Sequence, residues 1–163
     1  AALSFTHELL STIDWPNVPL SKLIEAELDI HRERDGKQIK LEGSAAWLTP
    51  HCALTLGIVF HELASDAARY GALSVAGGTV EVRWSVRGSG NSRQLEIIWS
   101  ETGGPPRGAD PQRTFGFELI QRTMLLELDA RAEIEFAESG LRCTISIPAN
   151  EKTVSTAAPP AAV

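Results

Sequence analysis

Apolar positions along this chain recur with two periods, about 3.6 and 2 residues, and these alternate in blocks that predict its elements. Leu20, Leu23, Ile24 and Leu28 make one helical stripe, so a helix is predicted from Pro19 to Arg32, with a turn at Asp35-Gly36. Residues 3–13 predict a shorter helix, followed by a loop around Trp15-Pro16-Asn17. Gln38 to Leu41 and Ala45 to Leu48 read as short strands. Thr49-Pro50 then opens a long helix, because a hydroxyl N-cap followed by proline at the first helical position is a start signal. Ala53, Leu56, Phe60, Leu63, Ala67 and Tyr70 share its core face, and Gly71 is the expected stop.

Period-2 alternation follows in four runs. Val80, Val82, Trp84 and Val86 face one way, and Glu81, Arg83 and Ser85 the other. Leu95, Ile97 and Trp99 repeat the pattern, as do Ala132, Ile134 and Phe136, and then Leu141, Cys143, Ile145 and Ile147, with Pro148 as the stop. A Gly- and Pro-rich loop, Thr102 to Thr114, and a helix from about Phe115 to Leu128 separate the second run from the third. Strands with one wet face need helices on the other. The predicted fold is α+β, a two-layer α/β sandwich: a mixed, mostly antiparallel sheet with about three helices on one face.

The 163 residues fit one domain, and 43% hydrophobic with 22% charged residues is ordinary for a globular chain. The net charge of −6 argues against a general nucleic-acid binder, which would show a basic face. Cys52 and Cys143 lack metal-ligand spacing and sit in apolar runs, so they read as buried free thiols in a reducing compartment. No signal peptide and no apolar run near the ~18 residues of a membrane span is present. Ala- and Pro-rich composition predicts a disordered tail over residues 150–163.

Three groups of residues carry candidate chemistry. Glu62 and Asp66 are neighbours at i and i+4 on the polar arc of the long helix, with Arg69 beside them. Two adjacent carboxylates suit a hydrated Mg²⁺ shared with phosphate oxygens, or they are simply a solvated polar face. Glu101 ends a strand and Gly103-Gly104 follow. A carboxylate there can accept from an exocyclic amine such as that of adenine, with glycines letting backbone approach a flat base, or it is a strand end entering an ordinary loop. Arg113-Thr114-Phe115-Gly116-Phe117 precedes a helix, where exposed backbone N–H groups bind phosphate, unless the two phenylalanines are core. His61 lies off the polar arc and reads as a structural hydrogen-bonding residue.

The order of these pieces, HELASDAARYGALS at 61–74, WSETGGPP at 99–106 and the glycine-containing helix start, resembles the Bergerat, or GHKL, ATP-binding fold. The similarity is greatest to the HWE family of bacterial sensor histidine kinases, marked by His61 in the helix motif and by Trp99-Ser100-Glu101, and runs from about Leu9 to Pro148.

The resemblance implies ATP and Mg²⁺ as ligands and assigns roles by position. Glu62 would organise the nucleophile or the metal's water shell, with Arg69 near the phosphates. Asp66, where the family usually has Asn, would ligate Mg²⁺, and Tyr70 would line the nucleotide pocket. Glu101 would take the adenine amine, and Gly103 and Gly104 would border the base. Residues 105–113 would form a lid ending at Arg113. Thr114, Phe115 and Gly116 would form the phosphate-side box, with Thr114 where the family has Gly and Phe117 where it has a small residue.

It further implies a cytoplasmic bacterial protein that phosphorylates a His on a separate dimerisation domain for relay to a response regulator, in a full-length homodimer without nucleic-acid or membrane contact by this domain. None of His7, His31, His51 and His61 reads as that acceptor. Residues 1–18 would be a connector from the missing acceptor region, 19–149 the catalytic domain and 150–163 the tail. The rival reading is a degenerate GHKL module that docks or regulates without kinase activity, which Asp66 and Thr114 favour. An anti-sigma kinase of the same fold fits the Trp-x-Glu signature less well.

Overall fold

The computed structural model describes residues 17–32, 37–106 and 111–156, and for 111–113 the backbone alone. The predicted helix over 3–13, the Asp35-Gly36 turn and His7 lie outside the described residues. Among the described residues, eight strands and three helices follow in the order β1 (Val18–Pro19), α1 (Leu20–Asp29), β2 (Ile39–Gly43), β3 (Trp47–Leu48), α2 (Pro50–Arg69), β4 (Thr79–Arg87), β5 (Gln94–Thr102), α3 (Pro111–Leu128), β6 (Arg131–Ala137), β7 (Gly140–Pro148) and β8 (Val154–Ser155).

Five strands make the main sheet in the order β2-β4-β5-β7-β6, with β2 parallel to β4 and every other pairing antiparallel. The alternating apolar positions turn to one face. Val80, Val82, Trp84, Leu95, Ile97, Trp99, Leu141, Cys143, Ile145 and Ile147 are all buried. Against them pack Leu20, Leu23, Ile24 and Leu28 of α1, Leu56, Val59, Phe60 and Leu63 of α2, and Ile120, Met124 and Leu128 of α3. The predicted two-layer sandwich is therefore the fold. Phe136 departs from its predicted inward position. It lies at the outer end of β6, 55% exposed, with its ring 5.6 Å from that of Phe117.

Local chemistry sets the helix limits. Thr49 Oγ1 accepts the Cys52 N–H at 3.3 Å and donates to the Lys152 carbonyl at 2.8 Å, so one hydroxyl caps α2 and ties down the chain after β7. Residues 150–153 form a turn, Thr153 and Val154 are buried, and β8 pairs with β3 in a second small sheet, β1-β3-β8. The expected disordered tail thus gives up residues 150–156, because an open strand edge at β3 pairs with the β-branched Val154. At the other end of the proposed catalytic unit, Val18 pairs with Leu48. Helix α1 stops at Asp29, three residues before its predicted end, and α2 stops at Arg69, ahead of Gly71.

Cys52 and Cys143 are free and buried, and burial pushes both thiols up to about 12, which makes them poor nucleophiles. Glu27 of α1, 3% exposed, faces His61 of α2, with its Oε2 3.4 Å from His61 Nδ1. Just past α1, burial and then the charge of His61 hold His31 below the ordinary histidine value of 6.5. The unfolded chain then takes up a proton that the folded one resists. The His31 contribution is fully present above pH 6.5 and is lost as pH falls toward the lower folded-state value. Thermal scans from about pH 7.5 to 5 should show a falling midpoint, and His31→Gln should flatten part of that fall.

Candidate functional site

Ser65 and Asp66 stand three and four residues after Glu62, and Arg69 three after Asp66, which puts the four on one ridge of α2. With Tyr70 they line a cleft whose other wall is Gly116 and Phe117 of α3. The cleft is shallow and open to solvent. A β-carbon at Gly116 would sit 3.6 Å from Glu62 Oε2, an ordinary contact distance, so this wall of the cleft lies directly against the carboxylate without requiring glycine there. Oxygen donors beside a cation, in an open groove, suit a hard divalent cation that takes one or two protein carboxylates and completes its shell with phosphate oxygens and water. Among the described residues no cluster of three or more His, Cys, Asp or Glu side chains is placed to hold a metal ion without such help.

Beyond Tyr70 the chain runs directly into a second, closely packed corner. Period-2 alternation brings Glu101 to the same inward face as Trp99, and the carboxylate is only 2% exposed. Its Oε1 accepts the Trp99 indole N–H at 3.1 Å and its Oε2 accepts the Ala72 backbone N–H at 3.0 Å. This explains the Trp-x-Glu spacing, since a same-face i, i+2 pair can share a hydrogen bond. A β-carbon on Gly71 would overlap the Glu101 carboxylate, so only glycine lets the end of α2 meet the end of β5. Gly103, with φ +72°, sits over the backbone of residues 77–78, and Gly104 over Gly71 and Ala72. Both are exposed on their outer side, leaving bare backbone next to the buried carboxylate.

The structure brings together Glu62, Asp66, Arg69, Tyr70 and Gly116, and sets Glu101, Gly103 and Gly104 next to them through residues 70–72. Tyr70 is 36% exposed and lines the cleft; it leaves the core face predicted for it because α2 ends one residue earlier. Helix α3 begins at Pro111, four residues before the expected start, so Gly116 lies in the second turn and its N–H is not among the free donors of the first. Thr114 and Phe115 are exposed, Phe115 by 67%, and neither lines the cleft, whereas Phe117 is 8% exposed and does. Residues 107–110 of the expected lid and the Arg113 side chain lie outside the described residues. Sequence reasoning missed Ser65, which helical spacing between Glu62 and Arg69 would have found, and Ala72, whose backbone N–H carries no side-chain signal.

Comparison with known proteins bears on the family and the fold. The family model described as HWE histidine kinase matches residues 1–45. A blue-light-activated histidine kinase of Brucella anthropi is 32% identical over 147 residues, covering 90% of this chain, and the corresponding protein of Brucella ovis is 27% identical over the same length. The chain spans 30% of the length of these relatives. Among solved structures, the histidine kinase domain of the Erythrobacter litoralis EL346 blue-light activated histidine kinase is similar with a TM-score of 0.63 at 19% identity, covering 93% of this chain and 71% of that one. The catalytic domain of histidine kinase ThkA is similar with a TM-score of 0.53 at 15% identity, covering 83% and 97%. Among the described residues no helix is long and apolar enough to cross a membrane. Profile, relatives and fold converge: the chain is similar in sequence to histidine kinases of the HWE type, and its fold is that of histidine-kinase catalytic domains.

Proposed function

We propose that this domain binds Mg·ATP and transfers the γ-phosphoryl group to a histidine on a separate dimerisation domain, for relay to an aspartate of a response regulator. The observation that carries this reading is the continuity of two chemically distinct corners. The acidic and cationic ridge Glu62–Asp66–Arg69 runs through Tyr70 into the carboxylate-and-glycine corner at Glu101. A nucleoside triphosphate needs those two environments side by side, one for a flat base and one for charged phosphates. Glu101 and the bare backbone of Gly103 and Gly104 take the base, and Tyr70 lies between the corners.

Asp66 and Glu62 would hold the divalent cation, which would supply charge neutralisation at the phosphates. Arg69 supplies a further cation near the phosphates, and Glu62 orients the incoming imidazole. In the transfer, the acceptor nitrogen bonds to the γ-phosphorus as its bond to the β,γ-bridging oxygen breaks, and ADP leaves. Residues 19–149, closed off by the strand at 154–155, form the catalytic unit, and the protein works in the bacterial cytoplasm as part of a homodimer.

A second reading, a docking module without kinase activity, is favoured by the coverage of Glu101, whose two oxygens already accept from Ala72 and Trp99. Calorimetric titration with a non-hydrolysable ATP analogue separates the two. Micromolar binding that depends on Mg²⁺ is expected; a folded sample that binds nothing with Mg²⁺ present leaves the docking module.

A further inference from the structure

We propose that Gln38 is a positioning residue for the base-binding corner, acting through the turn at Val75–Gly78. This rests on the reading of Glu101 and Gly103 as that corner.

Gln38 immediately precedes β2 and is 6% exposed. Its Nε2 donates to the Val75 carbonyl and to the Gly78 carbonyl, each at 3.0 Å. Its own carbonyl accepts the Val80 N–H at 2.7 Å, which aligns β2 with the start of β4. One side chain therefore closes a tight turn, held within itself by the Gly78 N–H to the Val75 carbonyl at 3.4 Å and by Gly77 at φ +86°.

That turn is the platform under the base corner. Gly78 packs so closely on the Ala72 carbonyl that a β-carbon there would overlap it. A β-carbon on Gly103 would lie 3.0 Å from the Gly77 carbonyl oxygen. Ala72 in turn donates its N–H to Glu101. The contacts thus run from Gln38 to the turn, and from the turn to both Gly103 and the Ala72–Glu101 pair. A slackened turn would release the backbone on which a flat base rests. The phosphate-side ridge on α2 is anchored separately, by the burial of Leu56, Val59, Phe60 and Leu63.

The acceptor half of the amide supports this assignment. Gln38 Oε1 is buried and has no hydrogen-bond partner among the described residues. A buried orphan acceptor is unfavourable, so what the amide contributes here is its two donated bonds.

The test compares Mg·ATP with Mg·inorganic triphosphate, which has the phosphates and no base, by calorimetry on the whole chain and on Gln38→Met. Methionine keeps the length and the burial and removes both donors. We expect Mg·ATP affinity to fall about tenfold, the scale of losing one or two hydrogen bonds, while triphosphate affinity stays within about twofold. Gln38→Glu guards against a packing fault: it keeps the shape, cannot donate to two carbonyls when ionised, and should give the same selective loss. Equal weakening of both ligands, or unchanged ATP binding, overturns the proposal. Triphosphate binding without any ATP preference in the wild type overturns the base-corner assignment itself, and the proposal with it.

Discussion

Replacing Glu101 with alanine is expected to weaken ATP-analogue binding by roughly 10–150-fold, the scale of a hydrogen bond to a charged group. It should also lower the unfolding midpoint by on the order of ten degrees, because two buried donors lose their acceptor at about 1–3 kcal/mol each. Those donors are the Ala72 N–H and the Trp99 indole N–H, both directed at the same carboxylate. The double effect follows from position: Glu101 is at once the candidate base receptor and the brace between α2 and β5. Glu101→Gln separates the two. It keeps the volume and one acceptor oxygen, so part of the stability returns, while an amide replaces a charged acceptor and base binding stays weak. Calorimetry and thermal scans on the two variants read both effects. A folded Glu101→Gln protein with wild-type ATP affinity would sink the base-binding assignment and leave only the brace.

Asp66→Ala should abolish the dependence of ATP binding on Mg²⁺ and slow phosphotransfer in the full-length kinase by on the order of 10²–10³-fold, the cost of losing a preorganised charge-stabilising group. Asp66→Asn is expected to behave differently. The amide oxygen still serves as a ligand, and removing a negative charge beside the phosphates reduces repulsion. Affinity and rate should stay within a few-fold of the wild type or rise. Binding titrations with and without Mg²⁺, and autophosphorylation rates, distinguish the cases. Full Mg²⁺ dependence in Asp66→Ala would move the metal to Glu62 alone. Complete loss in Asp66→Asn would show that the carboxylate charge itself is required.

Much of this was legible along the chain. The period-2 runs at 80–86, 95–99, 132–136 and 141–147 specified four strands and their buried face, with Phe136 the exception, 55% exposed near the end of an edge strand although its ring meets Phe117 of α3. The 49–50 cap signal specified the start of α2, and helical spacing alone put Glu62, Asp66 and Arg69 on one exposed arc. These are local matters. A strand repeats its side-chain direction every two residues and a helix about every 3.6, so facing can be counted without knowing the fold.

What lay beyond the sequence is contact between distant segments. No local rule shows that Gly71 must be glycine to clear a carboxylate thirty positions away, or that Trp99 and Ala72 share that carboxylate. None shows that β8 would add to β3, that His61 would face Glu27, or that Gly116 would sit across the cleft from Glu62. The start of α3 was misplaced because the Gly- and Pro-rich stretch before Phe115 hid a proline at the first helical position. Side-chain direction within an element is set by backbone geometry and is written in the order of residues. Which elements meet, and which single atom fills the gap between them, is set by packing the whole core, and only the tertiary structure decides it.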